Sequence, residues 1–272
     1  MPLSRTLQGI LESRTGARPV AVVRMFVGLA AALRGLEGGR LLWNVLSPET
    51  ARMPYFEWVP AIPREAVFWL AGVWFAAGLA FLAGWRTRFW GSVLALVIVY
   101  VLALDQQTYA SHLYLLLLIL VLLTLADSGA AYSLDARRRG RRATVPGWPV
   151  WLLKRQLTIV YGFAALTKLN AEYLSGSVLR ENLLPGLVRW IDASGYGDPL
   201  LRASAVLSIL IEAFLAAGFL IPGWRRAAIW VGVAFHVAMV SLLAPEVALQ
   251  LGIFALETLA LYALFFEGKT AM

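Results

Sequence analysis

Eight apolar runs, each close to the length that crosses a bilayer, follow one another through a chain of 272 residues and take up more than half of it. They are Val20 to Leu36, Ala66 to Ala83, Phe89 to Leu104, Leu113 to Ala126, Leu152 to Leu169, Leu201 to Ile221, Ala227 to Leu243 and Val247 to Phe266. A helical span needs roughly 17–25 predominantly apolar residues, and in lipid a segment can satisfy its backbone only as a helix or within a closed barrel. The chain is 60% hydrophobic and 15% charged, whereas soluble domains sit near roughly 45–50% and 25%, so a soluble core could not absorb this surface. The predicted fold is all-α, a polytopic integral membrane helical bundle of about eight transmembrane helices. Residues 1–19 are expected as a cytoplasmic segment, 20–266 as one transmembrane domain and 267–272 as a cytoplasmic tail.

Two runs are irregular. The first contains Arg24 and Arg34, which must snorkel toward opposite interfaces or face protein, and Leu113 to Ala126 is short. Because Arg5, Arg14 and Arg18 precede the first run and Arg24 interrupts it, a cleaved signal peptide is not expected.

Basic residues set the orientation. With the N-terminus inside, 15 of the 24 Lys and Arg residues fall on cytoplasmic connections, most densely at Arg137, Arg138, Arg139, Arg141 and Arg142. Only Arg40, Arg52, Arg64, Arg180, Arg189 and Arg202 fall outside, largely on the two longest connections, Glu37 to Glu65 and Asn170 to Leu200. The asymmetry predicts both termini inside. The net charge of +8 is then topological, and its nearest partners are anionic lipid headgroups rather than nucleic acid. The arginine cluster reads as a cytoplasmic retention signal. The two long connections, rich in Trp, Tyr, Pro and Gly, read as interfacial caps or re-entrant pieces over an outward-facing pocket.

Cysteine is absent, which excludes disulfides, thiolate nucleophiles and Cys-ligated metal centres. No G-x-S-x-G, P-loop or H-E-x-x-H motif occurs, and two histidines without carboxylates at ligand spacing predict no metal site.

Ionisable side chains inside spans cost roughly 2.5–3.5 kcal/mol each on insertion scales. Six stand there: Arg24, Arg34, Lys168, Glu212, His236 and Glu257. Glu212, His236 and Glu257 lie near the middles of the last three runs, where a mutual hydrogen-bond network either locks helix packing or relays protons. Lys168 ends the fifth run at its outer end, at the depth of Asp105 and His112, with Tyr161 two helical turns earlier on the same face. At such a helix end a lysine either snorkels toward the interface, completing the helix dipole, or faces the bundle as a neutral base.

Two stretches carry a family resemblance. Leu104-Asp105, then His112-Leu113-Tyr114-Leu115, Asp127 and Tyr132-Ser133-Leu134-Asp135 form the first. Val160-Tyr161, Lys168-Leu169-Asn170 and Tyr173-Leu174-Ser175-Gly176 form the second, with Phe235-His236 as a weaker third. In this order they resemble the membrane core of the vitamin K-dependent γ-carboxylases and the related horizontally transferred transmembrane (HTTM) family. The resemblance implies a membrane enzyme that uses reduced vitamin K or a menaquinone-type hydroquinone with O2. It would form the quinone epoxide and, with CO2, carboxylate glutamate in a secreted peptide. It implies Lys168 as the base and His112 as partner of the developing oxyanion or hydroquinone, on the extracytoplasmic side, with Asp105, Tyr161, Tyr114 and Asn170 in support. Departures are visible: Thr167 replaces a second lysine, and no large lumenal region follows Phe266. Quinol chemistry without carboxylation is therefore one implication, and a different peptide substrate is another.

Two further classes stay open beside the enzyme. One is a non-catalytic, quinone-binding DoxX-like membrane subunit. The other is a transporter or maturation factor for a secreted peptide, in which Glu212, His236 and Glu257 would be the working trio.

Overall fold

The computed structural model describes residues 2–46 and 56–266. The expected tail 267–272, and with it Lys269, lies outside the described residues, as does Arg52. Thirteen α-helices are described: α1 (Pro2–Glu12), α2 (Ala17–Val45), α3 (Val67–Ala83), α4 (Thr87–Leu104), α5 (Ser111–Leu125), α6 (Leu134–Arg139), α7 (Trp148–Thr167), α8 (Ala171–Leu174), α9 (Ser177–Asn182), α10 (Pro185–Ala193), α11 (Gly197–Leu220), α12 (Arg225–Leu242) and α13 (Pro245–Tyr262). All eight predicted runs are helical. Six described helical segments, built on α2, α3, α4, α11, α12 and α13, are long and apolar enough to cross a membrane. Of the other two, α5 is apolar but 15 residues long, and α7 carries Lys154 and Arg155 in its first half. Large apolar side chains stay exposed along the helices, among them Leu96, Phe163, Leu210 and Val237. In water that surface would be an aggregation liability; in a bilayer it is the lipid face.

The chain divides into two compact units, one made of the residues up to Leu153 together with Phe266 and the other running Lys154–Phe265. In the first, α2 runs on to Val45 instead of ending near Leu36. Gly35, Gly38 and Gly39 should weaken a helix by about 1 kcal/mol each, but they lie where α3 passes closest. A Cβ at Gly28 would sit 2.6 Å from Leu82 N, and one at Gly78 2.5 Å from Ala32 N. Small residues on both helices let the backbones touch, and in lipid that close packing replaces the hydrophobic drive. Of the four arginines of α2, Arg24 and Arg34 face protein: Arg24 Nη2 donates to the Tyr132 carbonyl at 2.6 Å, and Arg34 pairs with Glu37 at 2.5 Å.

The connection from α5 to α7 is folded back on the helix ends. Asp135 accepts from the Arg86 N–H (2.9 Å), the Thr87 N–H (2.7 Å) and the Thr87 hydroxyl (2.8 Å), so it caps α4 from another part of the chain. Partial burial pushes its pKa up, but these three donors and the nearby Arg139 charge outweigh that and hold it below the usual carboxylate value. Asp127, in the left-handed region at φ 55°, pairs with Arg142. The sequence pattern did not reveal one feature of this unit, a short antiparallel ribbon joining β1 (Arg14–Gly16) to β2 (Thr144–Pro146).

In the second unit α7, α11, α12 and α13 carry the long connection 170–200 as three short helices, α8 to α10. Its middle is pinned by Leu184 N–H to the Leu242 carbonyl (2.9 Å) and Ala244 N–H to the Asn182 carbonyl (2.8 Å). The buried side chains of α7 recur every three or four residues through Leu157, Tyr161 and Ala165, so one stripe faces its unit.

Candidate functional site

Lys168 stands one residue beyond the end of α7, and its position is set by Asn170. The Asn170 side chain donates to the Thr167 carbonyl (2.8 Å) and accepts from the Tyr173 N–H (2.9 Å), closing α7 and capping α8 in one residue. The turn so held aims Lys168 Nζ at Glu212 on α11, 2.5 Å from Oε1. Of this pair the lysine side chain keeps 26% of its surface and the glutamate 6%. The ammonium also lies 5.5 Å from the centre of the Tyr173 ring, whose hydroxyl meets Ser208 Oγ at 2.8 Å. Three residues on, Gly176 takes φ 83° and passes so near α11 that a Cβ would come within 2.7 Å of Leu201 Cβ. The Tyr-x-x-Gly step thus docks the lysine's turn on the helix that carries its partner.

A second cluster in the same unit is buried. The Tyr161 hydroxyl meets Tyr262 Oη at 2.5 Å and His236 Nε2 at 2.8 Å, and the Thr258 hydroxyl approaches the same nitrogen at 3.3 Å. Gly232 makes room, since a Cβ there would overlap the Tyr262 hydroxyl. Phe235 and Phe254 pack against the imidazole, and Phe219 stacks on Tyr161. The two clusters lie within electrostatic range, Lys168 of His236 and Glu212 of Tyr161. Among the described residues, Glu212 Oε2 and His236 Nδ1 are buried without a hydrogen-bond partner. Glu257 is fully buried on α13, one residue before Thr258.

The remaining predicted residues belong to the first unit. Asp105 is fully buried and Oδ1 accepts from the Gln107 N–H at 2.8 Å, which shapes the turn from α4 into α5, while Oδ2 has no partner. His112 lies in the first turn of α5, within range of the Arg34 charge, and Tyr114 is 47% exposed. Lys168 and His112 thus lie in different units. No group of three His, Cys, Asp or Glu side chains able to hold a metal occurs among the described residues. Sequence reasoning named neither Tyr262 nor Thr258. Their only signal was an i, i+4 hydroxyl pair inside an apolar run.

Apolar helices enclosing a cluster of phenol, imidazole, amine and carboxyl groups define a multi-pass α-helical membrane protein with acid–base groups in its interior. The HTTM domain matches residues 14–269, nearly the whole chain. The chain belongs to that family, and so is a membrane protein related to the vitamin K-dependent carboxylases. No solved structure matches it.

Proposed function

We propose that this protein is a quinol-dependent, oxygen-using membrane enzyme of the carboxylase-like type, with Lys168 as its base. One observation carries the reading: a lysine and a buried glutamate in 2.5 Å contact, with the second carboxylate oxygen lacking any partner. A buried ion pair adds little to stability by itself. Its chemical use is that one proton can pass from Nζ to Oε1, leaving the amine with a lone pair while the pair stays neutral as a whole.

The residues present fit a reduced quinone. A hydroquinone is a flat apolar ring with two hydroxyl groups, and the site offers aromatic walls from Phe235, Phe254 and Phe219 with orphaned polar atoms at Glu212 and His236. When bound, reduced vitamin K or a menaquinone-type quinol would supply the reducing equivalents for O2, with CO2 and a secreted peptide as further substrates where carboxylation follows. Lys168 would accept the hydroxyl proton at Nζ. Glu212 would hold the proton that frees that amine. The bond between Tyr161 and Nε2 of His236 fixes the ring and leaves Nδ1 as the nitrogen available to a ligand. The family resemblance gives His112 the role of donor to developing negative charge, and such a preplaced donor is among the larger catalytic terms. The positive-inside count puts Lys168 at the extracytoplasmic face, where a secreted substrate would be met.

The test is to supply purified protein with reduced menaquinone or vitamin K under oxygen and read epoxide by mass spectrometry. Epoxide from the native chain and its loss in Lys168→Ala are expected. Undiminished epoxide from that variant would overturn the assignment, and bound quinone without turnover in the native chain would favour the non-catalytic reading.

A further inference from the structure

A cavity of about 350 Å³ opens in the first unit, lined by Ala83, Tyr132, Ser133, Leu134, Arg137 and Arg141. That volume falls within the roughly 300–1,000 Å³ typical of small-molecule sites. It plays no part in the chemistry proposed above: the Lys168–Glu212 pair belongs to the second unit, and His112 is not among the residues that line the cavity.

Three features give the cavity one chemical character. Arg137 and Arg141 are exposed on its wall, and neither has an acidic partner among the described residues, whereas Arg142 is taken by Asp127, and Asp135 caps the N-terminus of α4 within electrostatic range of Arg24. Arg24 lies behind the wall with none of its surface exposed. One of its nitrogens holds the Tyr132 carbonyl, and Nε and Nη1 have no partner. Finally, the backbone is shaped around that guanidinium. Tyr132 is held at φ 46°, outside the usual range for a tyrosine, and Gly84 at φ 68° has no room for a Cβ because Arg24 Nη1 and Ser133 Cβ fill the space.

We propose that this cavity binds the phosphate of an anionic ligand, with Arg137 and Arg141 as its direct contacts and Arg24 supplying positive potential from behind. Its place favours a lipid headgroup as the source. Ala83 is the last residue of α3, Tyr132 and Leu134 of the lining are exposed, and Trp85 and Phe89 in the turn from α3 into α4 are exposed too, as at a membrane interface. The positive-inside count puts that interface on the cytoplasmic leaflet, where anionic lipids meet basic side chains.

The experiment uses the full-length chain in detergent, titrated with phosphatidylglycerol or with phosphatidylcholine of the same acyl chains, and with inorganic phosphate in a separate arm. Bound molecules are counted by native mass spectrometry. Selective retention of phosphatidylglycerol is expected, weakened on the order of tenfold to thirtyfold in the double variant Arg137→Gln/Arg141→Gln. The control Arg138→Gln/Arg226→Gln removes the same charge away from the cavity and should leave retention unchanged. Binding of inorganic phosphate with the same dependence on Arg137 and Arg141 would keep the site and move its source to a free phosphate compound. Equal retention of both lipids with no phosphate bound, or equal losses in the two double variants, would overturn the proposal. No outcome depends on quinol turnover.

Discussion

The helices that open the chain and those that close it treat buried polarity differently. In the first unit the buried charges of the spans are Arg24 and Arg34 inside α2, spent on the Tyr132 carbonyl and on Glu37. Arg24 ties α2 to the connection that follows α5, and Arg34 pairs within α2 itself, beside the close packing of α2 on α3. In the second unit the buried groups are the carboxylates Glu212 and Glu257, an imidazole and two phenols; Tyr161, His236 and Tyr262 bond to one another across α7, α12 and α13, and Glu212 on α11 takes Lys168. The basic side chains of the first unit build architecture. Mid-helix acid–base groups with orphaned atoms are costly in lipid, which makes them the candidates for function that substitutions can test against a role in packing.

Substitutions should separate the two regions. Replacing Lys168 with Ala has the largest expected effect, a loss of about 10²–10⁴-fold in quinol oxidation, with the helical circular dichroism retained. In the first unit Gly78→Leu should lower unfolding stability by about 1–3 kcal/mol through overpacking against Ala32, measured by thermal melting in detergent. Any residual activity per folded molecule should be normal, and a selective loss of turnover would blur the contrast. Tyr161→Phe removes one hydroxyl serving two partners and should cost about 1–2 kcal/mol together with a fall in turnover. If only stability falls, the buried cluster is packing rather than site.

The smallest effect concerns Asp135. Folding lowers its pKa below the usual carboxylate value, so the folded state binds that proton less readily than the unfolded one. Its stabilising contribution is complete above that value and is lost as pH falls through the lower folded-state pKa. Melting temperature measured against pH should therefore drop in acid for the native chain, and Asp135→Asn should flatten that part of the curve.

Much of the fold was legible because long apolar runs admit few solutions in lipid, and each of the eight became a helix. Helix ends were less legible. The extension of α2 through Gly35, Gly38 and Gly39 depends on α3 passing alongside, a tertiary contact that overrides local propensity. The ribbon of Arg14–Gly16 with Thr144–Pro146 joins segments 130 residues apart and has no local signature. In the site, the cost of ionisable groups in spans marked Lys168, Glu212 and His236, but not who meets whom. Helix rotation decides that Glu212 takes Lys168 and that His236 takes Tyr161. Asn170 and the Tyr173–Gly176 step were noticed through family resemblance, and the structure gives them a physical task in holding the lysine's turn. Asp127 and Asp135, quoted in the same resemblance, serve the architecture of the first unit.

The proton held between Lys168 and Glu212 can be followed most directly by infrared difference spectroscopy, adding reduced menaquinone to the oxygen-free protein. The account predicts a protonated-carboxyl band that grows as the proton leaves Nζ and is missing in Glu212→Gln. A silent carboxyl region in native protein that still turns over quinol would contradict it.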